Sequence, residues 1–311
     1  MRRVISVAGL AVLLEAEDPA RWHALDALFG LCPTAAAAHG VIRLRFADAF
    51  PPVPERPADV AFSDVDLWYT DAGAVTRHRD GIVVGRDGDG ILAGGPASGE
   101  GSAKAFRRAT QHVLADALAD HGRFALHGAV VVDGGGAMLV LGDTGSGKST
   151  LAVSALRLGW SVVADDIAWI AAADDGALTV TGFPKPLHAP PEIIDDLPVD
   201  ADRVADDPRE RFVLRGGLTV DDVPHRIRGI VLVRHGTAAA TLVPFPIGPR
   251  LLTMVMRSFP LQGSPTRVRQ FFPLAARLSQ TPVALLEHAA DPRARAAEAA
   301  TLLREASARF Q

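Results

Sequence analysis

The chain has 311 residues, 48% of them hydrophobic and 22% charged, and a formal net charge of −4. That balance excludes a disordered chain, a collagen-like fibre and a small disulfide scaffold, and it offers nucleic acid no global basic field. The single cysteine, Cys32, excludes an intramolecular disulfide and a Cys-based zinc cluster. The length allows two domains, each with its own core. No apolar run approaches the roughly 18 to 20 residues that span a bilayer. Met1 to Leu14 has a basic start and an apolar run, as a signal peptide does. However, Glu15, Glu17 and Asp18 follow at once without a small-x-small cleavage site. The expectation is a buried first strand or pair of strands in a cytoplasmic protein without a membrane partner.

Residues 1 to 102 carry short β-type runs at Val4–Leu14, Val41–Phe46, Val60–Phe62 and Gly81–Val84, separated by Pro and Gly clusters. They predict a small α+β or mostly β domain closed by a flexible stretch at Gly94–Ser102, serving substrate binding or dimerisation. The period then changes. Phe106, Val113, Leu114, Ala117 and Leu118 share one helical face between Ala103 and His121, and Gly122 stops the helix. Strands are predicted at Phe124–Val132 and Ala137–Leu141 around a Gly-rich turn, a helix at Leu151–Leu158, and strands at Trp160–Ala164, Ile167–Ile170 and Leu178–Thr181. Further strands follow at Ile227–Arg234, Thr241–Pro244 and Val283–Glu287, with helices near Pro249–Ser258, Arg267–Ser279 and Pro292–Ala308. Residues 103 to 311 are expected to form the second domain.

Between the second of those strands and the next helix lies Gly142-Asp143-Thr144-Gly145-Ser146-Gly147-Lys148-Ser149, followed by Thr150. It matches G-x-x-x-x-G-K-[ST] in full and stands in the strand-to-helix context that such a motif requires. The glycines let backbone N–H groups wrap around phosphate oxygens. Lys148 then reaches the β- and γ-phosphates, and the Ser149 hydroxyl ligates Mg²⁺. This pattern predicts a bound nucleoside triphosphate.

The reaction depends on the next carboxylates. Asp165 and Asp166 lie 17 and 18 residues after Lys148, at the end of the strand SVVADD. The helix-then-strand spacing returns the chain beside the loop. One carboxylate can hold Mg²⁺, and the second can take the proton of an attacking hydroxyl. The later pair Asp174-Asp175 reads as a solvated turn. His127, in LHGAVVV, is placed by the hairpin near the Asp165 end of the neighbouring strand, where it can pair with a carboxylate.

The stretch from Leu126 to Ile170, about 45 of 311 residues, resembles the catalytic core of the bacterial HPr kinase/phosphorylase family. It is similar above all to the HPr-kinase-like proteins that include lasso-peptide tailoring kinases. His127, the hairpin, the Gly-rich loop and the spaced Asp pair carry the resemblance. It implies an α/β fold with a P-loop kinase core of the HPr kinase/phosphoenolpyruvate carboxykinase-like type, built on a mixed sheet. By the same resemblance Asp165 is the base for a serine-type hydroxyl and His127 supports it. Asp166 and Ser149 serve the metal, and Lys148 serves the phosphates. The cofactors would be ATP and Mg²⁺, the acceptor a peptide or protein with a Ser or Thr hydroxyl, and homo-oligomers would be plausible. The Glu-Ile-Arg-Gly signature of true HPr kinases is missing. No arginine stands in register with the family's transition-state residue. Arg226 is the nearest substitute, with Arg228 and Lys185 as alternatives.

A small-molecule hydroxyl kinase, a carboxykinase-like enzyme, a P-loop ATPase or switch and a simple ATP-binding module are the competing readings. An ABC-type LSGGQ sequence, a guanine-reading N/T-K-x-D motif and a Walker B segment further downstream are all missing. A last expectation concerns residues 200–217. With Arg203, Arg209, Arg211 and Arg215 and no regular period, this segment reads as a mobile lid after the extended GFPKPLHAP, which carries Lys185 and His188.

Overall fold

A computed structural model describes residues 1–35, 41–97, 102–204, 211–219, 222–235, 240–288 and 292–310. It divides into two units, Met1–Phe124 with Pro260–Phe272, and Ala125–Phe259 with Pro273–Gln311. Both are mixed α/β. Among the described residues, no helix is long and apolar enough to cross a membrane.

The first unit begins with a hairpin of β1 (Arg2–Val7) and β2 (Leu10–Ala16). The pair rather than a single strand forms because Ala8 and Gly9 both take positive φ, 54° and 76°. That is the geometry of a tight turn whose twist suits antiparallel strands. A helix, α1 (Pro19–Phe29), follows where the strand-biased sequence reading places none. Asp18 caps it by accepting from the Arg21 N–H at 2.9 Å, and Pro19 occupies its first turn. Then come β3 (Ile42–Ala47), β4 (Val60–Ala61), β5 (Val65–Thr70), β6 (Gly73–His78), β7 (Val83–Asp87) and β8 (Gly90–Gly94). The sheet order is β1-β2-β3-β8-β7-β6-β5-β4, parallel at β2–β3 and β3–β8 and antiparallel elsewhere.

Helix α2 (Ser102–Ala119) lays Phe106, Ala109, Val113, Leu114 and Leu118, all buried, against β6, β7 and β8. Its buried Asp116 accepts from the Ala74 N–H at 3.1 Å and from Arg267 Nε at 2.7 Å. These contacts make α2 part of the first unit, so the boundary falls after Phe124 rather than at residue 102. Of the expected flexible stretch Gly94–Ser102, residues 98–101 lie outside the described residues.

The second unit holds β9 (Phe124–His127), β10 (Ala129–Asp133) and β11 (Gly136–Leu141), then α3 (Lys148–Ser154), which tightens into a 3₁₀ turn at Ala155–Leu158. Next are β12 (Ser161–Ala164), β13 (Ile167–Ala172), β14 (Leu178–Gly182), β15 (His188–Ala189), β16 (Ala201–Arg203) and β17 (Phe212–Leu214). The chain ends with β18 (His225–His235), β19 (Thr241–Pro244), α4 (Pro249–Arg257), α5 (Pro265–Leu278), β20 (Val283–His288) and α6 (Pro292–Arg309). Helix α5 starts in the first unit and finishes in the second.

The main sheet runs β12-β10-β11-β18-β14-β13-β9, with β20 on β18 and β19 on β20. Strand β18 is parallel to both β11 and β20. Those central strands are covered on both faces, so Leu139, Val140, Ile230, Val231 and Leu232 form an unbroken buried run. Leu151 and Val153 of α3 and Leu303 of α6 close one side of this core.

The strand expected at Phe124–Val132 is broken in two at Gly128. A Cβ there would stand 2.7 Å from Leu141 Cδ2 and 2.9 Å from the Val140 carbonyl, so only glycine lets the chain pass so close. The segment read as a lid is also corrected in its described part. Its β17 pairs with both β15 and β16 in a three-stranded sheet, and Leu214 is buried in the core with Leu187 and Ile193. Arg209 lies outside the described residues.

Candidate functional site

Strand β11 delivers the chain into the Gly142–Ser149 loop, and α3 starts at Lys148. Gly142 has φ +158°, and a Cβ on it would come within 2.3 Å of the Val233 carbonyl and 2.7 Å of Ser146 Oγ. The loop therefore starts pressed against β18, with a turn closed by Ser146 N–H donating to the Asp143 carbonyl at 3.1 Å. Lys148 folds back over it. Its Nζ donates to the Gly142 carbonyl at 2.8 Å and the Asp143 carbonyl at 3.0 Å. Burial lowers the Lys148 pKa, against the raising influence of Asp166, Asp143 and Asp165.

The two carboxylates after β12 occupy different surroundings. Asp165 is 8% exposed and lies within the electrostatic reach of the Ser149 side chain. Burial pushes its pKa up to about 6, although Ser149 and Lys185 both act to lower it. Asp166 accepts from His127 Nδ1 at 3.2 Å and from Lys185 Nζ at 2.9 Å. Burial works against its charge, but the hydrogen bond from His127 and the nearby Lys185 outweigh it and hold the carboxyl well below the usual range.

This corrects the expected pairing of His127 with Asp165. Adjacent residues leaving a strand turn their side chains to opposite sides. The Gly128 N–H donates to the Asp166 carbonyl at 3.1 Å, which sets His127 beside Asp166 and not beside its neighbour. The signal was present in the His127-Gly128 pair, although spacing alone cannot say which aspartate it meets.

A cavity of about 420 Å³ gathers His127, Thr144, Gly145, Gly147, Lys148, Ser149, Thr150, Asp165, Asp166, Lys185, His188, Pro190 and Arg211. The remaining loop residues Gly142 and Asp143 line a smaller neighbouring cavity. Ser146 is buried behind the loop. Ser146 Oγ and Asp165 Oδ1 are buried without a hydrogen-bond partner. Such atoms cost about 1–3 kcal/mol each unless something binds them. The carboxylate oxygen beside Ser149 suits a hard cation, and the loop backbone beside it suits a phosphate. No group of three or more His, Cys, Asp or Glu side chains converges as a metal cage among the described residues. A Mg²⁺ site with one or two protein ligands completed by phosphates needs none. The donors present thus fit a magnesium nucleotide.

Arg226 does not join the cavity. It lies on β18 just before Ile227, which pairs with Ala137 at the start of β11, whereas the loop follows Leu141 at the other end. Parallel pairing therefore sets Arg226 about 20 Å from Gly142 at the usual rise per residue. Its exposed guanidinium pairs with Asp175 across β14. Arg228 is equally remote, held by Asp133 and by Ser307 Oγ at 2.6 Å. Of the three cations considered, Lys185 alone lines the cavity, joined by Arg211 from the segment read as a lid. Arg215 is engaged with Asp202, with Nε–Oδ2 at 2.5 Å.

No protein-family model matches the chain, and no curated protein matches it. Among solved structures it is similar to the Hpr(Ser) kinase/phosphatase from Coxiella burnetii, at 11% identity and a TM-score of 0.32, over 60% of this chain and 92% of that one. At that score the likeness is loose, and the chemistry of the site has to be read from its own residues.

Proposed function

We propose that the protein is an ATP- and Mg²⁺-dependent kinase that phosphorylates a Ser- or Thr-type hydroxyl of a peptide or protein. The setting that the sequence resemblance favours is an HPr-kinase-like role in tailoring ribosomally made peptides, lasso peptides among them. The observation that carries the reading is one cavity in which Lys148 and Ser149 of the Gly-rich loop meet two carboxylates in contrasting environments. A pure nucleotide binder has no use for the second carboxylate.

In this reading the loop amides and Lys148 hold the β- and γ-phosphates, Lys148 giving up its bonds to the Gly142 and Asp143 carbonyls. Ser149 and Asp165, which lie within each other's electrostatic reach, would hold the metal. Mg²⁺ held there would supply positive charge against the phosphates during the transfer. Asp166 is the proton acceptor, oriented by His127. The acceptor oxygen bonds to the γ-phosphorus as the bond to the β–γ bridging oxygen breaks. The hydroxyl proton passes to Asp166, and ADP leaves. Lys185, drawn from Asp166 towards the transferring group, both stabilises its charge and makes Asp166 more basic. These roles exchange the two aspartates relative to those implied by the resemblance.

The test is a phosphoryl-transfer assay with labelled ATP on Ser-containing peptides. Asp166→Asn should lower turnover roughly 10²- to 10⁴-fold while ATP affinity changes little. Asp165→Asn should instead show a metal defect that Mn²⁺ partly restores. Full turnover in Asp166→Asn would remove the proposed base.

A further inference from the structure

The loop serves two cavities. The larger holds Lys148, Ser149 and both aspartates. The smaller, about 170 Å³, is lined by Leu141, Gly142, Asp143, Met254, Arg257 and Ser258, and shares His127 and Thr144 with the larger. His127 is thus the common wall, and it is held from the second side as well. Its N–H donates to the Ser258 carbonyl at 2.7 Å, which ties β9 to the residue that ends α4.

Lys148 Nζ rests on the Gly142 and Asp143 carbonyls. The lysine of this motif reaches the β- and γ-phosphates, so the smaller cavity, lined by Gly142 and Asp143, opens beside the reach of the cation that would hold them. A molecule entering the smaller cavity therefore approaches the γ-phosphoryl group and the His127–Asp166 pair together. At about 170 Å³ the space lies below the roughly 300–1,000 Å³ of sites that enclose a whole small ligand. It suits one end or one side chain of a larger chain. Its charge is specific too. Arg257 is exposed, and among the described residues it has no ion pair or hydrogen bond. Asp143 across the cavity, like the triphosphate, is negative, so an anionic acceptor would be repelled there without a cation.

We infer that this second cavity is the acceptor site, and that Arg257 selects a peptide carrying a carboxylate or phosphate next to the hydroxyl that is phosphorylated. The inference deepens the kinase reading and rests on it. Arg257 acts on recognition, so it shows in acceptor affinity and not in the chemical step.

The experiment uses the full chain loaded with Mg²⁺ and a non-hydrolysable ATP analogue. Binding of three fluorescent peptides is followed by anisotropy: one Ser followed by Asp, one Ser followed by phosphoserine, one Ser followed by Lys. The first two should bind about tenfold more tightly than the third, the worth of one charge-assisted hydrogen bond. The stronger of the two identifies the natural anion. Arg257→Ala should erase the preference, Arg257→Lys should keep part of it, and Arg257→Glu should reverse it. Nucleotide affinity, measured on each variant, controls for folding. Equal affinity of the three peptides for the unaltered protein overturns the inference, and absence of binding by all three counts as equal. So does a preference that survives Arg257→Ala, including one that survives while all three peptides weaken alike, which would assign Arg257 to Asp143 alone. Phosphoryl transfer to the same peptides is measured in parallel. Transfer without charge preference sinks the acceptor site and leaves the kinase reading standing. Arg257-dependent binding without transfer does the opposite.

Discussion

Replacing Asp165 by asparagine should stabilise the ligand-free protein, and do so more at high pH. Asp165 is 8% exposed, and burial raises its pKa from the ordinary 3.8 to about 6. Between those two values the folded chain holds a proton that the unfolded chain has released. Stability therefore falls as pH rises through this window and stays at the lower plateau above it. At about 1.4 kcal/mol for each pH unit between the two values, the ionised carboxylate costs the empty fold about 3 kcal/mol at pH 8. Asparagine carries no charge to desolvate and keeps a carbonyl oxygen for Ser149. The variant should be more stable by about 2–3 kcal/mol at pH 8, about 5–10 °C in thermal midpoint for a unit of this size. At pH 4.5, where Asp165 is mostly protonated in the fold, the gain should shrink to about 1 kcal/mol. Asp166, whose carboxyl is held low, contributes with the opposite sign and only at more acid pH. It is present in both proteins, so the difference between them isolates Asp165. Urea and thermal unfolding of both proteins without ligand, at pH 4.5 and 8, give the four numbers needed. A variant no more stable than the parent at pH 8, or equally stabilised at both pH values, would refute the reasoning. A buried charge that weakens the empty fold is what a cation site should contain, and Mg²⁺ with ATP should cancel the difference by stabilising the parent.

Two further substitutions test the geometry of the loop and the exclusion of Arg226. Gly142→Ala places a Cβ 2.3 Å from the Val233 carbonyl at φ +158°, so the loop must lift from β18. ATP affinity should fall tenfold or more while far-ultraviolet circular dichroism stays the same, and an unchanged affinity would show that the loop does not hold the nucleotide. Arg226→Ala removes an exposed pair with Asp175. Turnover and thermal midpoint should both stay within error, because exposed pairs contribute little. A tenfold loss of turnover would return Arg226 to the site.

The part of this protein that its sequence determines by itself is the part made by neighbouring residues. The Gly142–Ser149 loop, its flanking β11 and α3, and the return to Asp165-Asp166 at the end of β12 are contiguous. Glycine spacing and a change of period are enough to read them. The same holds for β19, whose Thr241–Pro244 bounds agree with the apolar pattern. What pairs with what was decided by the tertiary structure. His127 meets Asp166 because the Gly128 N–H reaches the Asp166 carbonyl across the sheet, a contact made by residues far apart in the chain. Arg226 and the loop look close in a list of strands. Parallel pairing of β11 with β18 nevertheless sets them at opposite ends, since direction along a strand is invisible until its partner is known. The β16–β17 segment carries no alternating pattern of its own and becomes strand only by pairing, through Ala201 with Leu214. Helix α2 reads as a helix from its own period, but the sheet it covers belongs to the first unit. Local chemistry is written in consecutive side chains. Partners, ends and boundaries depend on which backbone groups find each other once the chain has closed.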